Sequence, residues 1–269
     1  MAAGFRGADR ILQVFQWEQD HEENSAYRFI RKDAIATDTL SRNGKGAAVK
    51  GGTGLIWSGF RPSDDACTYG YLIPSNMFAT VALGYLEEIA DRVYGDNQLK
   101  AAAAHLRQQI EKGIKEYGIV ETEDYGKIYA YEVDGFGQYN LMDDANIPSL
   151  LSMPYLGYRG DRGIMQSTRR FILSEANPCY YQGKYARGIH TPKNHVWPLA
   201  LIMQGMTSTD KKEKEDILRM LSETDAETGL MHESMHVDDP KKYTREWFSW
   251  ANALFCEWIL DFCGYGIVK

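Results

Sequence analysis

Asp64 and Asp65 stand side by side in Gly54-Leu-Ile-Trp-Ser-Gly-Phe-Arg-Pro-Ser-Asp-Asp-Ala-Cys-Thr-Tyr-Gly-Tyr-Leu-Ile-Pro74, after an Arg-Pro and among Trp57, Phe60, Tyr69 and Tyr71. Carboxylates and a guanidinium bind hydroxyls, and aromatic faces cover the apolar faces of a ring, so this combination suits a sugar. The competing reading is an aspartate capping the next helix, with a local Arg61 ion pair over packed aromatics. Two further acidic clusters, Asp143-Asp144 and Met231-His-Glu-Ser234, also lie in loops before helices. Two such carboxyl groups can act as acid and base on a glycosidic bond, about 6.5–9.5 Å apart for inversion or about 5–5.5 Å apart for retention. Burial beside a second carboxylate would raise the pKa of the donor, as its task requires.

Each cluster has a structural alternative. Asp144, two residues before Asn146, is placed to cap a helix. Glu233 is placed to pair with Arg245, and His190 and His195 can be buried, hydrogen-bonded histidines. His232 and His236 lie at i, i+4 beside Glu233 and Asp238, which invites a metal. The segment follows Thr228-Gly229 and precedes Pro240, so it is not helical and the spacing does not gather ligands. The glycine-rich run Gly44 to Gly54 lacks the phosphate-loop spacing. Neither a metal nor another cofactor is expected.

Elements must position these loops. Residues 8 to 20 read as a helix with Ile11, Leu12, Phe15 and Gln19 on one face. The pattern from 21 to 73 is irregular, a length that is uncommon within a domain unless functional. Pro74 opens a helix to about Tyr94, with Phe78, Val81, Ala82, Tyr85, Leu86 and Ile89 as its apolar face. Gly95 ends it, and Asp96 caps a helix to about Tyr117. Ile119 to Val133 predicts a hairpin around Asp124-Tyr-Gly126. Tyr139 to Leu151 is a loop running into a helix, whose partner spans 160–175. Helices are expected at 195–207 and at 210–224, the second capped by Thr209 or Asp210. A loop over 225–242 then leads to a last helix from Tyr243 to about Cys263, with Phe248, Leu254, Phe255, Trp258 and Ile259 facing a core. Long loops feeding helix pairs joined by short turns predict an all-α fold of antiparallel hairpins, an α/α toroid whose loops gather at one end. Seven or eight helices are fewer than a closed ring of six pairs needs.

Composition excludes several classes. The 269 residues are 44% hydrophobic and 25% charged, with a net charge of −7 and no basic cluster, which argues against nucleic acid. The apolar runs fall far short of the ~20 residues that span a bilayer, so no membrane partner is expected. The N-terminus has no signal core, and a cytoplasmic location is expected. Cys67, Cys179, Cys256 and Cys263 are too widely spaced for a zinc site or a disulfide framework.

Longer stretches are more specific. Trp57 to Phe78, Leu141 to Tyr158, Tyr181 to Ile189, Thr228 to Ser234 and Trp247 to Phe255 resemble, in order, the motifs of glycoside hydrolase family 125. The resemblance covers the chain from about residue 8. It implies an (α/α)6 barrel and an exo-acting, inverting α-1,6-mannosidase that needs no metal. It also implies a mannose-containing oligosaccharide as partner. The general acid falls on the Asp64-Asp65 pair, Asp65 preferred, and the general base on Glu233, with Glu257 a weaker alternative. Trp57, Arg61, Asp143, Asp144, Arg187, His190 and His232 then bind substrate, in one bowl with the acid and base.

Two departures stand out. Family members carry an N-terminal part with a Trp-Leu-Arg-Asp-Ser segment that is not found here. One barrel domain over 1–269 is therefore expected, truncated and incomplete, with the N-terminal fragment as a possible partner. Ile11, Leu12, Phe15, Trp17, Phe255, Trp258 and Phe262 are then expected to expose apolar surface. Second, Gly188-Ile-His-Thr-Pro192 is shorter than the corresponding family loop. An alternative function is a non-catalytic mannoside-binding remnant. An α/α-barrel epimerase, which relies on paired histidines, lacks support.

Overall fold

Local signals set most helix boundaries. The structure, a computed structural model, describes residues 2–190 and 193–266. Seven helices of at least 10 residues occur among them: α1 (Ala2–Gln19), α2 (Ile73–Ile89), α3 (Asn97–Tyr117), α4 (Arg162–Ile172), α5 (Pro198–Thr207), α6 (Lys211–Glu223) and α7 (Ser249–Phe262). Pro74 sits in the first turn of α2, where its missing N–H costs nothing. A π turn, Ala90–Tyr94, extends α2 until Gly95 takes φ 64°. Asp96 then caps α3, its Oδ1 accepting from the N–H groups of Gln98 and Leu99 at 2.9 and 3.0 Å. The short reversal makes α2 and α3 an antiparallel hairpin. Asp210 caps α6 in the same way through the N–H of Lys212.

The chain divides into two compact units. The first runs to Leu141 and adds Leu156–Thr168, and the second holds Met142–Tyr155 and Arg169 onward. In the first, α1 to α3 accompany a small antiparallel sheet of β1 (Tyr71–Leu72), β4 (Glu132–Val133) and β5 (Tyr139–Asn140), in that order. The expected hairpin is β2 (Ile119–Thr122) with β3 (Gly126–Tyr129), Ile119 opposite Tyr129. Its core includes Leu55, Met77, Leu83, Leu106, Ile110 and Ile114. In the second, β6 (Tyr180–Gln182) pairs with β7 (Arg187–Ile189), and β8 (His195–Val196), β9 (Ser234–His236) and β10 (Asp239–Thr244) form a sheet with β9 central. Its core includes Leu201, Ile202, Met203, Leu221 and Trp258, and Gly205 on α5 lies directly beneath the Trp258 ring.

Several expectations are corrected. The buried face of α2 is Ile73, Asn76, Met77, Thr80 and Leu83, whereas Phe78, Tyr85 and Ile89 are exposed. The phase shifts because two polar residues are buried and satisfied. Asn76 accepts from the Ile56 N–H at 2.7 Å and donates to the carbonyls of Ile56 and Leu72, and the Thr80 hydroxyl donates to Met77 O. On α1, Leu12 is buried while Ile11 points outward. No helix forms at 147–157, where turns follow Asp143-Asp144 and Ser149 and Ser152 bond each other's backbones. The expected loop at 225–242 contains the β9–β10 hairpin, and α7 starts at Ser249 because residues 239–244 belong to β10. The irregular stretch 21 to 73 contains short helical turns at His21–Asn24 and Ala36–Asp38, and a turn at Ser41–Gly44 in which Arg42 and Asn43 are left-handed. Trp258 is fully buried, and Phe255 half-buried, rather than exposed; Trp17 and Phe262 are exposed. No described helix is long and apolar enough to cross a membrane.

Candidate active site

The acidic loop of the first unit is a tight hairpin. Phe60 and Ala66 face each other in an antiparallel bridge. The Arg61 N–H donates to Asp65 O at 2.7 Å, the Asp64 N–H to Arg61 O at 3.0 Å, and the Cys67 N–H to Gly59 O at 3.0 Å. Asp64 takes φ 69°, a left-handed conformation that aspartate tolerates better than most residues. Asp64 is exposed at the tip, and Asp65 is half-buried beside it. Neither caps a helix: α2 starts at Ile73, and its N-cap position is Leu72.

Arg61 does not pair locally either. Its Nε donates to Glu132 Oε1 at 2.6 Å and its Nη2 to Glu132 Oε2 at 3.0 Å. Glu132, on β4, is completely buried, and Oε2 also accepts from the N–H groups of Thr68 and Tyr69 at 3.2 and 3.3 Å. Burial pulls the Arg61 pKa down, but the hydrogen bonds and charge of Glu132 outweigh it and hold the guanidinium above its ordinary value. Trp57 is buried, with one face stacked on His21 at 3.6 Å and its Nε1 donating to Ala47 O at 3.1 Å. Gly46 and Gly70 pack so close to the indole that a Cβ at either would collide with it, and one at Gly59 would press on its edge. In this arrangement Trp57 supports the loop rather than offering an open stacking face.

In the second unit, Asp143 is fully enclosed and organises the turn that follows it. Its Oδ1 accepts from the Leu150 N–H at 2.7 Å and its Oδ2 from the Leu151 N–H at 2.9 Å. Burial pushes its pKa up to about 8, the two N–H donors resist that rise, and the charge of Asp144 adds to it. Asp144, also buried, accepts from the Asn146 N–H at 3.0 Å, so its cap-like bond closes a turn instead of a helix. Asn177 ties this loop to the next. Its Oδ1 accepts from the N–H groups of Asp143 and Cys179, and its Nδ2 donates to Ile172 O. The N–H of His190 donates to Cys179 O at 2.7 Å, and the ring meets Tyr181 edge-on at 4.5 Å. Asp143, Asp144 and His190 therefore belong to one hydrogen-bonded neighbourhood. Arg187 is exposed and lines a cavity of about 290 Å³ with Gln204, Glu213 and Asp216. Thr191 and Pro192, in the loop expected to be shorter than the family's, lie outside the described residues.

Glu233 sits just before β9, its N–H facing the carbonyls of Thr244 and Arg245 at 3.2 and 3.3 Å. Its neighbours are gripped firmly. His232 is buried, its two ring nitrogens 2.6 and 3.1 Å from the carbonyls of Glu246 and Asp225, and stacks on Tyr243 at 3.9 Å. Asn252 on α7 accepts from the Met231 N–H and donates to Met231 O. Ser234 and Thr244 share a hydroxyl hydrogen bond at 2.7 Å. Glu233 Oε1 does lie 3.2 Å from Arg245 Nε, but Arg245 is 68% exposed, so solvent screens the pair. His232 is thus occupied with backbone carbonyls, and His236 meets His195 edge-on at 5.3 Å. Among the described residues no group of three His, Cys, Asp or Glu side chains is arranged to hold a metal ion. Glu257 on α7 accepts from the Tyr155 hydroxyl at 2.9 Å and, with Asp261, lines a cavity of about 270 Å³.

Sequence reasoning missed Glu132 and Asn177. The available signal for Glu132 was a lone carboxylate inside Ile128-Tyr-Ala-Tyr-Glu-Val133, a stretch too apolar for a solvent-facing acid. Asn177 gave none beyond its place before a proline.

The family model for metal-independent alpha-mannosidases, GH125, matches residues 4–260. The Meiotically up-regulated gene 157 protein of Schizosaccharomyces pombe (strain 972 / ATCC 24843) is 42% identical to this chain, the match covering 94% of it and 52% of that protein. A structure from Streptococcus pneumoniae superposes with a TM-score of 0.93 and 48% identity, covering 97% of this chain and 62% of that one. It is described as a non-productive substrate complex with alpha-1,6-mannobiose, from a family of widely distributed metal-independent alpha mannosidases whose study gives insight into the processing of N-linked glycans. The mostly helical fold expected from the sequence, of the (α/α)6 type, is the fold of that structure. The chain spans about half the length of the curated relative it matches.

Proposed function

Because the chain belongs to the GH125 family of metal-independent alpha-mannosidases, we propose that it carries the acid and base of an exo-acting, inverting α-1,6-mannosidase. The substrate class would be N-glycans and other oligosaccharides ending in α-1,6-linked mannose. The observation that carries this reading is the 48% identity to an α-mannosidase whose complex holds alpha-1,6-mannobiose. The local geometry is compatible with the roles. Asp65, half-buried at a braced hairpin tip, would protonate the departing glycosidic oxygen. Glu233, on a backbone fixed by His232 and Asn252, would activate a water on the opposite face of the sugar. Inversion requires about 6.5–9.5 Å between the two carboxyl groups, room for that water. Asp143 and His232 enter as supports, their polar atoms taken up by backbone groups.

Incubation with α-1,6-mannobiose, followed by proton NMR, tests the reading. Early product should be β-mannose. Early α-mannose would reject inversion, and saturable binding with no turnover would favour the non-catalytic alternative.

A further inference from the structure

The Glu132 carboxylate joins both flanks of the loop that carries Asp64 and Asp65, and nothing in the proposed chemistry uses it. On the incoming side it takes the Nε and Nη2 of Arg61, and on the outgoing side it takes the backbone N–H groups of Thr68 and Tyr69. Asn140 Nδ2, on the neighbouring strand β5, donates to the same Oε2 at 3.4 Å. Arg61 also reaches across the loop itself, its Nη2 donating to Thr68 Oγ1 at 3.2 Å. Glu132 comes from β4, whose register places it opposite Leu72 on β1 and Asn140 on β5, so its backbone is held on both sides.

A buried carboxylate is costly unless its oxygens are fully engaged. Here the five donors come mainly from one short loop, which makes that loop the compensation for burying the charge. We propose that Glu132 is the positioning residue of the active site: with Arg61 it clamps the 61–69 hairpin and fixes the direction of Asp65. Arg61 is then part of the clamp, its fork taken by Glu132 and not available as a forked ligand for sugar. The role rests on the reading of Asp65 as the acid, whereas the clamp itself does not.

The test compares Glu132→Gln, and the doubly neutral Arg61→Gln/Glu132→Gln, with the parent chain. Glutamine keeps the volume but cannot accept the guanidinium fork. The double variant avoids an unpaired buried arginine, which guards against simple misfolding. Amide hydrogen exchange should speed up roughly tenfold or more at Thr68, Tyr69 and the residues between them and Arg61, with α2 and α3 unchanged. On α-1,6-mannobiose, kcat should fall by about tenfold or more with KM within about threefold, because orientation is lost and binding is kept. Glu132→Gln should cause no further loss in an Asp65→Asn background, since it acts through Asp65. Unchanged loop exchange, or equal loosening of α2 and α3, overturns the clamp. Additive losses with Asp65→Asn overturn the positioning role. Full activity of Asp65→Asn alone, with the loop still released by Glu132→Gln, shows that the acid reading failed and the clamp did not.

Discussion

At the scale of single residues, neighbouring carboxylates are set apart by backbone and burial. Asp64 is exposed in a left-handed conformation, and Asp65 is half-buried with its carbonyl held by the Arg61 N–H. Asp65→Asn and Glu233→Gln are therefore each expected to lower kcat by about 10²–10⁴-fold with the fold retained, as loss of an acid or base does. Asp64→Asn keeps a residue that tolerates the left-handed region and should be milder; steady-state kinetics in which Asp64→Asn is worse would exchange the roles. Asp143 and Asp144 are both buried and differ in what they hold: Asp143 accepts from the Leu150 and Leu151 N–H groups, Asp144 from that of Asn146. Asp143 is raised to about 8 from an ordinary 3.8 by its enclosure, so between those pH values the unfolded chain binds fewer protons than the folded one. Its contribution to stability is complete below pH 4 and is lost as pH climbs through 8. Urea midpoints measured from pH 4 to 8 should fall with pH, and Asp143→Asn should flatten that slope. At pH 7 the same change should cost about 1–3 kcal/mol, because one backbone donor loses its acceptor. The carboxylates themselves were plain in the sequence. Which of them is enclosed was not, since the N–H groups that surround Asp143 come from Leu150 and Leu151, beyond a turn that no local pattern announced.

At the scale of elements, starts and stops were legible and faces were not. Pro74, Gly95, Asp96 and Asp210 act through their own backbone geometry, so their meaning is local. The face of α2 depends on Asn76 and Thr80, polar residues buried because their partners lie at Ile56, Leu72 and Met77. The β9–β10 hairpin gains a third strand from His195 and Val196, far away in the chain, so its pairing could not be read from residues 225–242 alone. Gly205 teaches the same lesson about packing. It lies in the last turn of α5, where glycine still lowers helix propensity, yet it lets α5 approach Trp258 of α7. Gly205→Ala improves helix propensity and should still destabilise the protein by about 1–3 kcal/mol through overpacking, measurable by thermal or urea unfolding. A neutral or stabilising outcome would mean that the Trp258 ring can move aside freely.

At the scale of the whole molecule, the family was legible because its motifs are contiguous stretches, whereas the division into two units was hidden because it is not contiguous. Exposed apolar surface is the other large-scale feature. Phe78, Tyr85, Ile89 and Val93 recur at helical spacing along α2 and its π turn, and Ile11, Val14 and Trp17 are exposed on α1. Apolar patches of this kind are a liability in a soluble monomer. Sedimentation of the purified chain should show a mass that rises with concentration, and Tyr85→Ser with Ile89→Ser should reduce that rise. A strictly monomeric parent chain would contradict the expectation. The interleaved division also has a bearing on biosynthesis. Met142–Tyr155 leaves the ribosome between two parts of the first unit, and the second unit's remaining residues, from Arg169 onward, emerge only afterwards. At about 5–20 residues per second, the segment bearing Asp143 and Asp144 spends seconds in the growing chain before Asn177 and its neighbours exist to receive it. The Asp143–Asp144 pair is thus synthesised before Asn177, which fastens its loop, so that fastening must wait for the later part of the second unit.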